Sequence, residues 1–254
     1  MRRTPRSQAR VDTRLAEKHR RCVGKTKPAH HEKTLHPSQP KKGRPMSTRI
    51  LHATDLSPFG RQVRIVLAEK ALEYDKDQTL ALTRDAKTFG KVNPALRVPV
   101  LEDDGKTIFD TRIIIEYLLA AYPEPSAPET PPLAPAPARP EEHLDDAMLL
   151  AVLTGLLDTA VNLSALGRNG ITEEQAPYLG RHKERITASL DWLEERAGPE
   201  GFQPGLFSVA DIAWICAADY GESRGLFQAG GRPGLQAIRE RYAERPSVAD
   251  TRPQ

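Results

Sequence analysis

From Arg49 to Tyr122 the spacing of apolar residues changes several times, and each change predicts an element. "RILHAT" is a short apolar run of strand character. "PFGRQVRIVLAEKAL" places Val63, Val66, Leu67 and Leu72 near one face, which predicts an amphipathic helix closing in basic charge at Glu69-Lys70. "EYDKDQTLAL" reads as a second strand. "VPVLEDDGKTIFD" reads as two strands joined at Asp104-Gly105, a residue pair that tolerates the positive φ values of a tight hairpin turn. "TRIIIEYLLAAY" returns to helical spacing. Strand, helix, strand, helical region, hairpin and helix together predict a layered α/β domain over residues 46–122 with a mixed sheet.

The pattern then breaks. Residues 123–140, within "YPEPSAPETPPLAPAPARP", are dense in proline, which sustains neither a helix nor a central strand, so they read as a semi-rigid linker. Beyond it, "EEHLDDAMLLAVLTGLLDTAVNLSAL", "TEEQAPYLGRHKERITASLDWLEERAG", "SVADIAWICAADYGESRG" and "PGLQAIRERYAER" all have helical spacing, and residues 141–254 are expected to form an all-α domain. No internal repeat is found.

Charge separates off the first part of the chain. Residues 1–45 carry 14 Lys or Arg against 3 Asp or Glu, a net of +11, whereas the other residues carry 23 against 31, a net of −8. That leader has almost no apolar periodicity, so it is expected to be disordered. A basic arm can bind nucleic acid through phosphates, but this one lacks interleaved aromatic residues, and a passive tail or a start of the folded protein at Met46 is the simpler reading. The positive beginning is followed by no apolar segment, and no uninterrupted apolar run approaches the ~18–20 residues of a membrane span. A cytoplasmic protein without membrane contact is expected. The two cysteines, Cys22 in the leader and Cys216 in an apolar helix, allow neither a disulfide framework nor a paired-cysteine metal site, and no metal is expected.

Three stretches in order, "LSPFGRQVRIVLAEKAL", "NPALRVPVLEDDGKTIFDTRIIIEYLLAAYP" and "FSVADIAWICAADY", resemble the cytosolic glutathione S-transferase family, in particular a bacterial branch with Ser-Pro-Phe at the first turn. The resemblance spans roughly Arg49 to Pro253. It implies a thioredoxin-like α/β domain followed by a helical one, glutathione as co-substrate, a small electrophile as second substrate, and a two-fold homodimer.

Each candidate residue has a plain reading beside the one the resemblance implies. On the residues alone Val98-Pro99 is expected trans, with Pro99 starting an edge strand; the resemblance implies a cis bond, with the Val98 backbone pairing to the cysteinyl part of glutathione as a strand pairs with a sheet edge. Thr111 is a natural helix N-cap; the resemblance adds that its amide and hydroxyl hold the γ-glutamyl carboxylate while Asp110 meets the ammonium group. The family more often has Ser at that position, so the methyl group of Thr111 is a departure. Arg97 is either a solvated surface residue or the partner of the glycyl carboxylate. Ser57 caps the helix opened by Pro58, and the resemblance makes it the catalytic hydroxyl that donates to the thiolate of glutathione, with Thr54 an alternative and Phe59 beside the bound substrate. The absence of cysteine at Ser57 argues against thiol-exchange chemistry. "SVAD" at Ser208–Asp211 is a capping box with a structural role, and Trp192, Trp214, Phe202 and Phe207 read as core residues. Dehalogenation, isomerisation and peroxide reduction use the same thiolate as conjugation, and a non-catalytic glutathione-binding or regulatory module is the alternative to an enzyme.

Overall fold

The computed structural model describes residues 49–83, 85–123, 131–135 and 140–253, all of which belong to one compact unit. The basic leader, including Cys22, the following residues 46–48, which begin with Met46, and most of the proline-rich linker lie outside the described residues.

Four short strands form a mixed sheet in the order β2-β1-β3-β4: β1 (Ile50–His52), β2 (Asp75–Asp77), β3 (Val100–Asp103) and β4 (Lys106–Phe109). β1 runs parallel to β2 and antiparallel to β3, and β3 pairs antiparallel with β4. Leu51 faces Leu101 across the β1–β3 pair, and both are fully buried. The hairpin falls where the sequence places it: Asp104 and Gly105 take φ of 48° and 72°, a left-handed pair that glycine accepts at little cost. "EYDKDQTLAL" is only partly a strand. β2 stops at Asp77, whose carboxylate accepts a hydrogen bond from Thr79 N at 2.7 Å and turns the chain into α2 (Thr79–Leu82), followed by α3 (Ala86–Val92).

Helix α1 (Pro58–Glu69) departs most from the sequence reading. It ends before Leu72, and it is buried nearly all round rather than on one face, because it packs on α4 (Thr111–Ala121) and also beneath α7 (Val209–Ser223) and α9 (Pro246–Ala249). The charges expected on a solvated face are paired inside. Arg61, 1% exposed, pairs with Asp219 of α7 and donates to Val248 O at 3.1 Å. Glu69, 3% exposed, receives Nε and Nη2 of Arg245, both at 2.6 Å, and the hydroxyl of Ser247. Lys70 is the C-cap residue and is itself buried, so the last turn holds no basic residue.

The helical part comprises α5 (Pro140–Arg168), α6 (Tyr178–Glu194), α7, α8 (Pro233–Tyr242) and α9. By length and hydropathy alone, Leu144–Arg168 of α5 is apolar enough to cross a bilayer, against the expectation drawn from uninterrupted runs. Asp145, Asp146 and Asp158 interrupt the run, and the helix packs against α6 and α7 through Leu149, Leu153, Leu156 and Leu157. The capping box of α7 is formed as expected, Ser208 and Asp211 each bonding the other's backbone. Trp214 and Phe207 are fully buried, and Trp192 and Phe202 pack on the core from its edge. Linker residues 131–135 are strapped to the helical part. Phe207 N donates to Pro132 O at 2.8 Å, Ala134 N to Phe207 O at 2.9 Å, and Arg245 Nη1 to Pro131 O at 2.9 Å.

Arg245→Ala leaves the buried Glu69 carboxylate without its cation and is expected to cost about 3–5 kcal/mol in chemical denaturation. The double change Glu69→Leu/Arg245→Met, which leaves no orphan charge, is expected to recover most of that loss; a double variant no more stable than Arg245→Ala would show that packing around Arg245, and not the stranded carboxylate, sets the cost.

Candidate functional site

Three chain features that begin or end elements converge on one side of the sheet. The first is the turn into α1. Ser57 N donates to Thr54 O at 3.2 Å, Ser57 Oγ accepts from Gly60 N at 3.0 Å, and Pro58 takes the first helical position. The turn lies tight against the residue that follows β1: a Cβ on Gly60 would stand 2.7 Å from that of Ala53, so glycine is required for this approach. Accepting from Gly60 leaves the proton of Ser57 available for donation elsewhere.

The second is the loop entering β3, where the Val98-Pro99 bond is cis, as the resemblance implies and against the plain expectation. Asn93 orders this loop from within. It is 2% exposed, its Nδ2 donates to Arg97 O at 2.7 Å and its Oδ1 accepts from Ala95 N at 2.9 Å. The sequence reading passes over Asn93, although an Asn-Pro pair at a helix end is a turn signal that points to it. Arg97 projects from this loop and pairs with Asp158 of α5, Nη1 to Oδ1 at 2.7 Å, with both side chains exposed.

The third is the start of α4. The N-cap is Asp110, not Thr111: Asp110 has a φ of 73°, and its Oδ1 accepts from Arg112 N at 2.9 Å and from Ile113 N at 3.4 Å. A short carboxylate reaches the free amides of the first turn better than the branched hydroxyl one position on. Thr111, 9% exposed, takes the first helical position.

These features border a cavity of about 590 Å³ between the α/β part and the helical part, within the range of about 300–1,000 Å³ typical of small-molecule sites. Of the eight residues singled out from the sequence, six line it: Phe59, Arg97, Val98, Pro99, Asp110 and Thr111. Ser57 and Thr54 are not among the lining residues; they form the turn that carries Phe59 to the wall. The opposite wall is a stripe of α5 at helical spacing, Asp146, Leu150, Thr154 and Asp158, with Gln203 beyond it. The sequence reading gives this stripe no role, since a four-residue spacing on a long helix does not reveal what it faces. Among the described residues no group of three or more His, Cys, Asp or Glu is placed to hold a metal.

A mixed four-stranded sheet with helices, a cis proline entering β3 and a following set of helices define a thioredoxin-like fold with a helical C-terminal part. Residues 51–126 match the family model of the glutathione S-transferase N-terminal domain. Over 168 residues the chain is 31% identical to maleylacetoacetate isomerase of Pseudomonas aeruginosa, covering 62% of this chain and 76% of that one. Over 200 residues it is 29% identical to an uncharacterized GST-like protein of Escherichia coli K12, covering 78% and 95%. Among solved structures, a glutathione S-transferase of Methylobacillus flagellatus with glutathione bound aligns with a TM-score of 0.65 at 26% identity, covering 81% of this chain and all of that one. A family member from Pseudomonas fluorescens with bound glutathione aligns with a TM-score of 0.66 at 25% identity, covering 81% and 99%. The chain belongs to the glutathione S-transferase family.

Cys216 has no part in the cavity's chemistry. It is 1% exposed, and burial pushes its thiol up to about 12, so almost none is thiolate at neutral pH. Peptide mapping after iodoacetamide treatment at pH 8 is expected to find Cys216 unmodified in the folded chain and alkylated only after denaturation; rapid alkylation under native conditions would contradict that burial.

Proposed function

We propose that the protein is a glutathione-dependent transferase that activates the thiol of glutathione for attack on a small electrophile, with no metal. The observation that carries this reading is the meeting, on one wall of one cavity, of the cis Val98-Pro99 loop with the Asp110–Thr111 start of α4. The Val98 backbone would hold the cysteinyl residue, the Thr111 amide and hydroxyl the γ-glutamyl carboxylate at the positive end of α4, and Asp110 the ammonium group. Arg97 would take the glycyl carboxylate. Its present bond to Asp158 is an exposed ion pair, worth about 0–1 kcal/mol, so a ligand carboxylate can displace it at little cost. Ser57 would donate its proton toward the sulfur while its oxygen still accepts from Gly60 N, and the α1 N-terminus would favour the thiolate over a thiol whose ordinary pKa is about 8.5. Similarity to the Pseudomonas aeruginosa isomerase supports an isomerase as well as a conjugating enzyme, since both use the same thiolate.

A second reading, a glutathione-binding or regulatory module without catalysis, draws support from the position of Ser57 outside the cavity lining. The proposal also includes a cytoplasmic location and a two-fold homodimer; exposed Ile113 on α4 and Leu144 and Met148 on α5 supply apolar surface for association. Sedimentation of the full chain at a single monomer mass across micromolar concentrations would exclude the dimer.

Calorimetric titration with glutathione of the wild type, Thr111→Ala and Ser57→Ala tests the site. Thr111→Ala is expected to weaken binding by about tenfold, the loss of one hydrogen bond to a charged group. Ser57→Ala is expected to cost about 1 kcal/mol of stability through the lost cap and, independently, to raise the pKa of bound glutathione, read from thiolate absorbance against pH. Binding unchanged in Thr111→Ala together with an unshifted thiol in Ser57→Ala would reduce both residues to structural roles.

A further inference from the structure

The cavity is longer than the ligand assigned to it. Arg97 and Asp158 mark one end, and Asp146 and Gln203 the other, so the wall formed by α5 covers twelve residue steps from Asp146 to Asp158. At 1.5 Å per residue that is roughly 18 Å, whereas glutathione, whose γ-glutamyl linkage adds two methylene groups to the ~11 Å of an extended tripeptide, spans on the order of 14 Å. Glutathione placed against Arg97, Val98 and Thr111 leaves the other end of the cavity empty. That inner end differs in chemistry. Ile115 and Leu119, one and two turns along α4 from Thr111, face Ala147, Leu150 and Ala151 of α5 across it. The small side chains of Ala147 and Ala151 keep the groove open on the α5 side.

The polar group at the inner end is a carboxylate that meets no cation among the described residues. Asp146 Oδ1 accepts from Gln203 Nε2 at 2.5 Å, and among the described residues no Lys, Arg or His pairs with it. The two arginines that line the cavity are already engaged, Arg97 by Asp158 and Arg112 by Glu116 at 2.7 Å. Against Arg97 and Arg112 the lining sets Asp110, Glu116, Asp146 and Asp158, and the ammonium group of glutathione would offset Asp110 only. An anion entering the inner end would meet the like charge of Asp146 beside an apolar wall.

We propose that the molecule sharing the cleft with glutathione is elongated and apolar, carries no negative charge, and lies along the groove between α4 and α5 with its hydrogen-bond-donating or cationic end at Asp146, which is the specificity-determining residue against anions. This rests on the assignment of glutathione to the outer end.

A matched pair of fluorescent probes tests it on the full chain: neutral N-phenyl-1-naphthylamine and its 8-sulfonate, which differ by one negative charge. Each is titrated with and without saturating glutathione, in wild type, Asp146→Asn and Ala151→Phe. The neutral probe is expected to bind the glutathione-saturated protein at least tenfold more tightly than the sulfonate. Asp146→Asn, which keeps the shape and the bond to Gln203, is expected to bring the two within about threefold. Ala151→Phe, at an exposed position where the larger ring fills the groove, is expected to weaken the neutral probe by tenfold or more. Displacement of the neutral probe by glutathione, equal binding of the two probes, binding of neither, or an unchanged preference in Asp146→Asn would each overturn the proposal. Failure of glutathione to bind would remove the functional assignment instead, and the preference between the probes measured without glutathione would then decide the inner compartment on its own.

Discussion

The arrangement of the whole molecule depends on α1 being shared between its two parts. One side of this helix packs on α4; the other lies beneath α7 and α9. A helix buried nearly all round is ordinarily apolar, and α1 instead carries Arg61, Arg64 and Glu69 into the interior, each met by a polar partner. Such pairs add little net stability over apolar residues of the same size, because desolvating two charges costs about what their attraction returns. Their effect here is on registration. An apolar contact tolerates a slide of one turn, whereas the forked bond of Arg245 to Glu69 and the contacts of Arg61 with Asp219 and Val248 O are satisfied in one alignment of α1 against the C-terminal segment. Since α1 also begins at the site, that alignment sets the position of the α5 wall opposite Val98 and Thr111.

The chemistry of the outer cleft comes from where elements begin. Two helices, α1 and α4, start at this side of the sheet, and each brings amides that lack intrahelical partners. Their own caps use part of that capacity: Ser57 takes Gly60 N, and Asp110 takes Arg112 N and Ile113 N. The dipoles remain, so the region between the two helix starts favours anionic groups such as a carboxylate or a thiolate. Between them the cis proline loop is held by a buried amide, Asn93, rather than by strand pairing. A ligand bound there is recognised largely by main chain, which requires backbone conformation more than particular side chains.

That division explains what could be read from the sequence. Features fixed within a few residues were legible: the Asp104-Gly105 hairpin, the Ser57-Pro58 start of α1 and the Ser208–Asp211 box. The order of elements was legible too, because period and punctuation are local. Some of what failed depended on neighbours distant in sequence, and some on local backbone geometry. The polar residues of α1 suggested a solvated face because nothing in "PFGRQVRIVLAEK" announces Asp219 or Arg245. Thr111 was favoured as the cap over Asp110 because both types cap helices, and the choice rests on a φ of 73° that the side chains do not declare. β2 came out shorter than expected because the Asp77 side chain captures Thr79 N, a local competition that strand propensity does not weigh. The cis bond at Pro99 was readable only through resemblance.

The stripe on α5 was the least legible part, for a reason that bears on specificity. A recognition surface made of main chain constrains sequence through glycine, proline and caps, and so leaves motifs. A wall made of side chains on a regular helix constrains only size and charge at every third or fourth position, which any amphipathic helix also shows. Asp146 and Asp158 therefore look like ordinary interruptions of an apolar run, and they acquire meaning only when α4 is seen opposite them. The physical consequence is an asymmetric cleft. Its outer end is fixed by backbone geometry and can change little without disturbing the fold, while its inner end is set by a few side chains on a regular helix. Charge at the inner end is thus where proteins with this outer site can diverge in the molecules they accept, and in this chain that end carries Asp146.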